Sequence, residues 1–131
     1  MLTIDNNAPA ADMTPVIAAI SRVRLAKYGE PESAICDAIC QQLTDAGIPH
    51  RREQRFGPRC RADIWINGIV IEVKKDRPSR AALLQQIDRY ASQDPVRGVI
   101  VVLEKSIPLP QALHDKPVAS ISLNAMWGIA L

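Results

Sequence analysis

The sequence predicts an α/β domain in which a mixed sheet is flanked by helices on both faces. The dipeptide Asn67-Gly68 lies between two apolar runs, which indicates a tight β-hairpin. Residues Val96 to Leu103 form an almost continuous apolar run, typical of a strand buried on both faces. A helical pattern separates the two, so this later strand is expected to lie parallel to the second hairpin strand.

Composition limits the classes of protein to consider. The 131 residues suit one domain with a real core, and 47% hydrophobic with 23% charged residues is ordinary for a soluble globular chain. No apolar run reaches about 18 residues and no signal-peptide pattern begins the chain, so we expect no membrane span and a cytoplasmic location.

Three cysteines argue against a disulfide framework because their number is odd. Cys36 and Cys40 are one helical turn apart, and with His50 or His114 they could be imagined as a zinc site. Small buried thiols on a helix are far commoner, so we favour that interpretation.

Residues 1 to 13 are predicted to be a poorly ordered leader, and residues 14 to 131 a single domain. Thr14-Pro15 predicts a helix start, with Thr14 as N-cap and the helix reaching about Lys27. A second helix is expected from near Pro31 to Gly47, which suits the position after a helix end. A strand over residues 48 to 56 then leads into the hairpin.

After the hairpin, Ser79 is a suitable N-cap for a third helix that ends near Ser92. Residues 105 to 117 contain three prolines and predict a loop with a short helical turn. Residues 118 to 123 predict a last strand. The apolar tail from Met126 to Leu131 is expected to pack on the core or to form a dimer contact.

A two-residue turn at Asn67-Gly68 fixes the hairpin register. The expected cross-strand pairs are Ile66 with Ile69, Trp65 with Val70, Ile64 with Ile71, Asp63 with Glu72 and Arg61 with Lys74. Since side chains alternate along a strand, one face is expected to be entirely apolar and the other to hold every charge. The apolar face would carry Ala62, Ile64, Ile66, Ile69, Ile71 and Val73.

The predicted pairing of Asp63 with Glu72 is the main functional indication. Carboxylates opposite each other, with Cβ atoms roughly 4.5 to 5.5 Å apart, repel unless a proton or cation lies between them. A divalent metal ion would relieve this repulsion, and Lys74 on the same face could orient a water or neutralise charge on a phosphate. The alternative is a solvated strand face whose charges keep an edge hairpin soluble.

Other polar residues on expected apolar stripes need an explanation. Glu32 falls on the stripe of Ile35 and Ile39, either because it contributes to the metal site or because the first turn of a helix favours a carboxylate. Glu53 is a reserve candidate for the site. In the third helix Gln86 and Tyr90 are i,i+4 neighbours whose polar ends face inward.

Positive charge is concentrated around the hairpin, although the net charge is only +2. Between residues 50 and 80 nine basic residues face four acids, which favours a polyanionic partner. The basic residues are Arg51, Arg52, Arg55, Arg59, Arg61, Lys74, Lys75, Arg77 and Arg80.

Taken together, Glu32, Asp63, the Glu72-Val73-Lys74 tripeptide and Gln86 resemble, in order and spacing, the motif of the PD-(D/E)XK nuclease superfamily. The resemblance covers roughly residues 30 to 103. The segment Gln86 to Tyr90 is also similar to the Gln-x-x-x-Tyr element of RecB-like nucleases, and the chain size and layout resemble small Holliday-junction resolvases. Ala62 departs from the proline that many members carry before the Asp.

The resemblance implies a restriction-endonuclease-like fold with an αβββαβ core and a Mg²⁺- or Mn²⁺-dependent DNA phosphodiester hydrolase. Asp63, Glu72, the Val73 carbonyl and Glu32 would then hold the metal ion. Lys74 would position the attacking water, and Gln86 would orient Lys74 or a phosphate. DNA would be bound by Arg51, Arg52, Arg61, Lys75, Arg77, Arg80 and Tyr90.

Three alternatives to a monomeric nuclease remain open on the sequence. The chain could be a catalytically inactive nuclease-fold module that binds DNA or protein. It could be an assembly protein that uses its apolar tail. A homodimer is a further expectation, because a small nuclease must otherwise make paired cuts one at a time.

Overall fold

The structure, a computed structural model, describes residues 11–25 and 29–126, with side chains up to residue 124. Most of the expected leader (residues 1–10) and most of the apolar tail (127–131) lie outside the described residues. Within the described part of the chain, no helix is long and apolar enough to cross a lipid bilayer.

A six-stranded mixed sheet forms the centre of the molecule. Its strands are β1 (Arg51–Gly57), β2 (Cys60–Ile66), β3 (Ile69–Lys74), β4 (Gly98–Leu103), β5 (Ala112–Leu113) and β6 (Lys116–Ser122), in the spatial order β1-β2-β3-β4-β6-β5. Strands β1 to β3 are antiparallel neighbours, whereas β4 is parallel to both β3 and β6. The α/β class, the mixed sheet and the parallel β3–β4 pairing are therefore confirmed.

The helices are α1 (Thr14–Ser21), α2 (Glu32–Asp45), α3 (Arg80–Ala91) and the single turn α4 (Leu123–Met126). Ser79 caps α3 as predicted, because its hydroxyl accepts the backbone N–H of Ala82 at 3.3 Å. The prediction for α1 was wrong at both ends. Thr14 lies inside the helix, with its N–H bonded to the Asp12 carboxylate, and the helix ends at Ser21 rather than near Lys27.

The segment expected to be a leader contributes to the domain at its end. Met13 is buried, with 7% of its surface exposed, and packs in the core, while the Ala11 N–H donates to the carbonyl of Arg97. The predicted loop over residues 105–117 holds β5 instead of a helical turn. His114 and Asp115 both have positive φ (51° and 61°), which suits the tight turn between β5 and β6.

Each face of the sheet has its own core. Helices α1 and α2 cover one face, where Ile64, Ile71 and Ile100 are fully buried, and α3 covers the other, where Val70 and Val101 are fully buried. The sheet is therefore covered on both faces, as predicted. The alternative of a solvated strand face does not hold, because α3 packs over the face that carries Val70 and buries Glu72.

Candidate active site

The turn that organises the site forms as predicted. Asn67 and Gly68 have φ values of 42° and 93°, and the pairs Ile66–Ile69, Trp65–Val70 and Ile64–Ile71 have the expected register. Both residues of a type I′ turn need positive φ, which Asn and Gly adopt with little strain. Backbone pairing between β2 and β3 stops after Ile64–Ile71, so the predicted Asp63–Glu72 and Arg61–Lys74 positions lie beyond the regular ladder.

The two strands separate at Asp63 because its side chain replaces a backbone acceptor. Asp63 Oδ2 accepts the N–H of Val73 at 2.8 Å. In an uninterrupted ladder of this register, that N–H would bond to the carbonyl of Ala62. The change also alters which face residues point to: Ala62 packs on the α3 side, whereas Ile64 packs beneath α2. The regular alternation of side chains therefore breaks at the aspartate.

A polar cleft of about 460 Å³ opens at this separation. It brings together all five predicted catalytic side chains, from four different elements. They are Glu32 at the start of α2, Asp63 on β2, Glu72 and Lys74 on β3, and Gln86 on α3. The reserve acid Glu53 is exposed on β1 and does not line the cleft.

Glu72 is the most deeply buried charged residue of the site, with 4% of its surface exposed. Its Oε2 lies 3.2 Å from both the Lys74 ammonium and the Gln86 amide nitrogen, while its Oε1 is buried without a hydrogen-bond partner. Burial first, and then the charge of Asp63, raise the pKa of Glu72 to about 7, although Lys74 acts in the opposite direction.

The pKa of Asp63 is raised as well. Burial is the main cause, and the charge of Glu32 adds to it, whereas the bond from the Val73 N–H and the charge of Lys74 lower the pKa. Two neighbouring acids thus both resist ionisation. A bound cation would remove this penalty for both of them.

Glu32 approaches the site from α2. Its Oε2 accepts the backbone N–H of Lys75 at 2.9 Å, which ties the first turn of α2 to the end of β3. The expectation that Glu32 lies on the buried stripe of α2 was wrong, since its side chain is exposed. As the first residue of the helix, it extends beyond the stripe formed by Ile35 and Ile39.

Helix α3 supports the acids through a chain of hydrogen bonds. The Gln86 amide donates to both Glu72 and the Tyr90 hydroxyl (3.0 Å), and that hydroxyl donates to the Arg61 carbonyl at 3.1 Å. Tyr90 is 3% exposed and its ring packs edge-on against Phe56. Tyr90 also lines the cleft, and its predicted contact with nucleic acid stays a prediction. In the structure its hydroxyl holds Gln86 and β2 in place.

The predicted DNA-binding cations lie in different places. Arg61 lines the cleft, and Lys75 and Arg77 line a second, adjoining pocket of about 260 Å³. Arg80 is bonded to the Pro108 carbonyl at 2.8 Å.

The two cations at the start of β1 lie apart from the cleft. Arg52 pairs with Asp37 on α2 at 2.7 Å. Arg51 lies near the hairpin turn, beside Trp65 and Asn67. The structure therefore does not bring Arg51, Arg52 and Arg80 to the cleft.

Three other arginines line the cleft and were missing from the predicted set: Arg55, Arg59 and Arg89. The sequence contained a signal for Arg55 and Arg59, which belong to the basic residues concentrated around the hairpin. The short β1–β2 connection around Gly57-Pro58 places Arg55 opposite Arg61, as the observed register shows. Arg89 gave no such signal, because it reaches the cleft only through the packing of α3 on the sheet.

All three cysteines are free. Of the two on α2, Cys36 is buried, as expected, whereas Cys40 is only half-buried. Burial, with a smaller effect from the Asp63 charge, raises the pKa of Cys36 to about 12, so its thiol stays protonated. His50 is bonded to the Ile48 carbonyl and His114 to Asp88.

The described residues contain no group of three or more His, Cys, Asp and Glu side chains arranged to hold a metal ion. Asp63 and Glu72 nevertheless fit a hard divalent cation, since both are oxygen ligands whose ionised forms are disfavoured in its absence. The unpartnered Oε1 of Glu72 is one free ligand atom. A complete site would need further oxygens, which the Val73 carbonyl or Glu32 could supply.

No family model, curated protein or solved structure matches this chain.

Proposed function

We propose that this protein is a metal-dependent nuclease that hydrolyses phosphodiester bonds in DNA. The observation that carries the proposal is the position of Asp63, Glu72 and Lys74 around one cleft, with an unpartnered carboxylate oxygen on Glu72. Further support comes from the element order, since α2, β1 to β3, α3 and β4 follow the helix, three strands, helix and strand that the PD-(D/E)XK resemblance implies.

In this proposal Asp63 and Glu72 hold a Mg²⁺ or Mn²⁺ ion, with the Val73 carbonyl and Glu32 as additional ligands. When bound, the ion supplies positive charge that stabilises the negative charge developing on the phosphate. Gln86 keeps the Glu72 carboxylate oriented through its 3.2 Å hydrogen bond. Arg61, together with Lys75 and Arg77 in the adjoining pocket, attracts the DNA backbone.

Lys74 has the role closest to the reacting atoms. Its side chain is 27% exposed and its ammonium lies 3.2 Å from Glu72, so it is held at the wall of the cleft with donors left for a ligand. There it orients the water whose oxygen attacks the phosphorus, and its charge stabilises the phosphorane. The water loses a proton to the solvent as its oxygen forms the new bond to phosphorus, the bond to the leaving oxygen breaks, and that oxygen takes up a proton from the solvent.

The test is cleavage of single-stranded, duplex and branched DNA in Mg²⁺, Mn²⁺ or EDTA. We expect cleavage only with a metal ion, and a loss of at least about 100-fold in Asp63→Asn and Lys74→Met, the range typical for removal of an electrostatic catalytic group. Asp45→Asn is the matched control, because Asp45 is an exposed acid at the end of α2. Cleavage by both site variants at the wild-type rate would remove the assignment.

A different result would favour the binding module. Metal-independent binding of DNA or protein, with no turnover of any substrate, would indicate that the fold has a non-catalytic role. The absence of a three-group metal cluster among the described residues is the observation that favours this second candidate.

A further inference from the structure

Four arginines line the cleft beside the acids: Arg55 on β1, Arg59 in the β1–β2 turn, Arg61 on β2 and Arg89 on α3. We call them the arginine wall. The ion pairs in the described part of the chain involve Arg52, Lys74 and His114, so no member of the wall is neutralised by a carboxylate at salt-bridge distance.

The wall places like charges against each other. Arg55 and Arg61 are direct cross-strand partners in the β1–β2 ladder. Like charges in this position destabilise a strand pair. Arg59, between them in the turn, has a φ of 57°, a conformation that residues other than glycine adopt at a cost. The local structure thus concentrates positive charge where folding alone would disperse it.

Arg89 gives an independent indication of a ligand. Its Nε is buried and has no hydrogen-bond partner, although its guanidinium carbon lies 5.7 Å from the centroid of the Tyr90 ring. A buried donor without an acceptor is unfavourable. A ligand that supplies an acceptor at this point of the cleft would remove the penalty.

We propose that the arginine wall is a phosphate-binding subsite, which takes a phosphate group next to the bond that is cut. Guanidinium groups bind phosphate oxygens through pairs of parallel hydrogen bonds, and four of them suit a ligand with several anionic oxygens. The subsite rests on the proposed nuclease function for its role. Its ligand is either the terminal phosphate of a strand or an internal phosphate of the backbone.

Phosphate binding to the arginine wall can be tested without any cleavage of DNA. Inorganic phosphate is titrated into the protein in EDTA, and the arginine Nε–Hε signals are followed by NMR. We expect a saturable shift of the Arg89 signal. We also expect at least about tenfold weaker binding in the double variant Arg55→Gln/Arg61→Gln, since two charge-assisted hydrogen-bonding groups are lost. Arg22→Gln, an exposed arginine after α1, should bind phosphate as the wild type does.

Absence of saturable binding at the Arg89 signal, or equal affinity in the double variant and the wild type, would overturn the subsite. All the exchanged arginines are exposed, so the backbone spectrum of each variant provides the check on folding. Phosphate binding without DNA cleavage in Mn²⁺ would support the subsite and contradict the nuclease function. Cleavage without phosphate binding would support the nuclease function and contradict the subsite.

The source of the phosphate follows from oligonucleotides with a 5′-phosphate, a 3′-phosphate or only hydroxyl ends, whose binding is measured by fluorescence anisotropy in EDTA. A loss in the double variant that is confined to one phosphorylated end would support a terminal phosphate as ligand. An equal loss for all three would support an internal phosphate. No loss for any of them would count against the subsite.

Discussion

Replacement of Glu72 by glutamine should stabilise the metal-free protein at neutral and alkaline pH. The pKa of Glu72 rises from its ordinary value of 4.5 to about 7 because of burial and the neighbouring Asp63. An acid that binds its proton more tightly in the folded chain makes stability fall as pH increases between those two values. At about 1.36 kcal/mol for each pH unit, the penalty of ionised Glu72 reaches at most about 3 kcal/mol.

The assay is urea unfolding of wild type and Glu72→Gln at pH 4 and pH 8, in EDTA. The free energies of unfolding should agree within about 1 kcal/mol at pH 4, where the acid is neutral, and the variant should be more stable by up to about 3 kcal/mol at pH 8. Saturating Mg²⁺ or Mn²⁺ should then stabilise the wild type more than the variant. Equal destabilisation of the variant at both pH values would refute the reasoning, because it would mean that Glu72 contributes packing rather than a buried charge.

Three further substitutions test the frame around the site, each measured by the free energy of unfolding at pH 7. Tyr90→Phe removes the bonds to Arg61 and Gln86 and should lower the free energy of unfolding by about 1 kcal/mol. An unchanged free energy would contradict the supporting role of that hydroxyl. Gly68→Ala should cost more than about 1 kcal/mol, because φ is 93° and the new Cβ would lie 2.8 Å from the Pro95 carbonyl oxygen; a neutral result would mean that the turn adapts. Ser79→Ala should cost about 1 kcal/mol through the lost cap of α3, whereas Ser79→Asn should retain most of the stability.

Local chemistry determined most of what the sequence could predict about the fold. The Asn67-Gly68 turn specified the hairpin register, and the unbroken apolar run of β4 indicated a central strand. Predictions failed where contacts between elements determine the end of a helix or the direction of a side chain. Helix α1 stops at Ser21 although its pattern continues, and Ala62 turns to the other face because the Asp63 side chain enters the ladder.

In the candidate site, too, local patterns predicted some residues correctly, whereas packing between elements placed others that the sequence did not predict. Glu72, Lys74 and Gln86 line the cleft because strand alternation and helical periodicity place them there. Asp63 joins them although the β2–β3 ladder opens at this residue. Helical periodicity gave the direction of Tyr90 but not the extent of its burial or its bonds to Gln86 and Arg61. Arg89 was missed because its position depends on how α3 packs across the sheet, which spacing along the chain does not encode.

The bond from the Val73 N–H to Asp63 gives this aspartate a structural duty beside the metal-binding role proposed for it. A related chain without the proposed activity would still need an acceptor at this place to close the hairpin, and asparagine could serve. Persistence of a polar side chain at residue 63 in related chains would therefore say little about activity. Lys74, whose only ion-pair partner in the described chain is Glu72, is free of such a scaffolding duty, so its presence or loss is the better marker of a working enzyme.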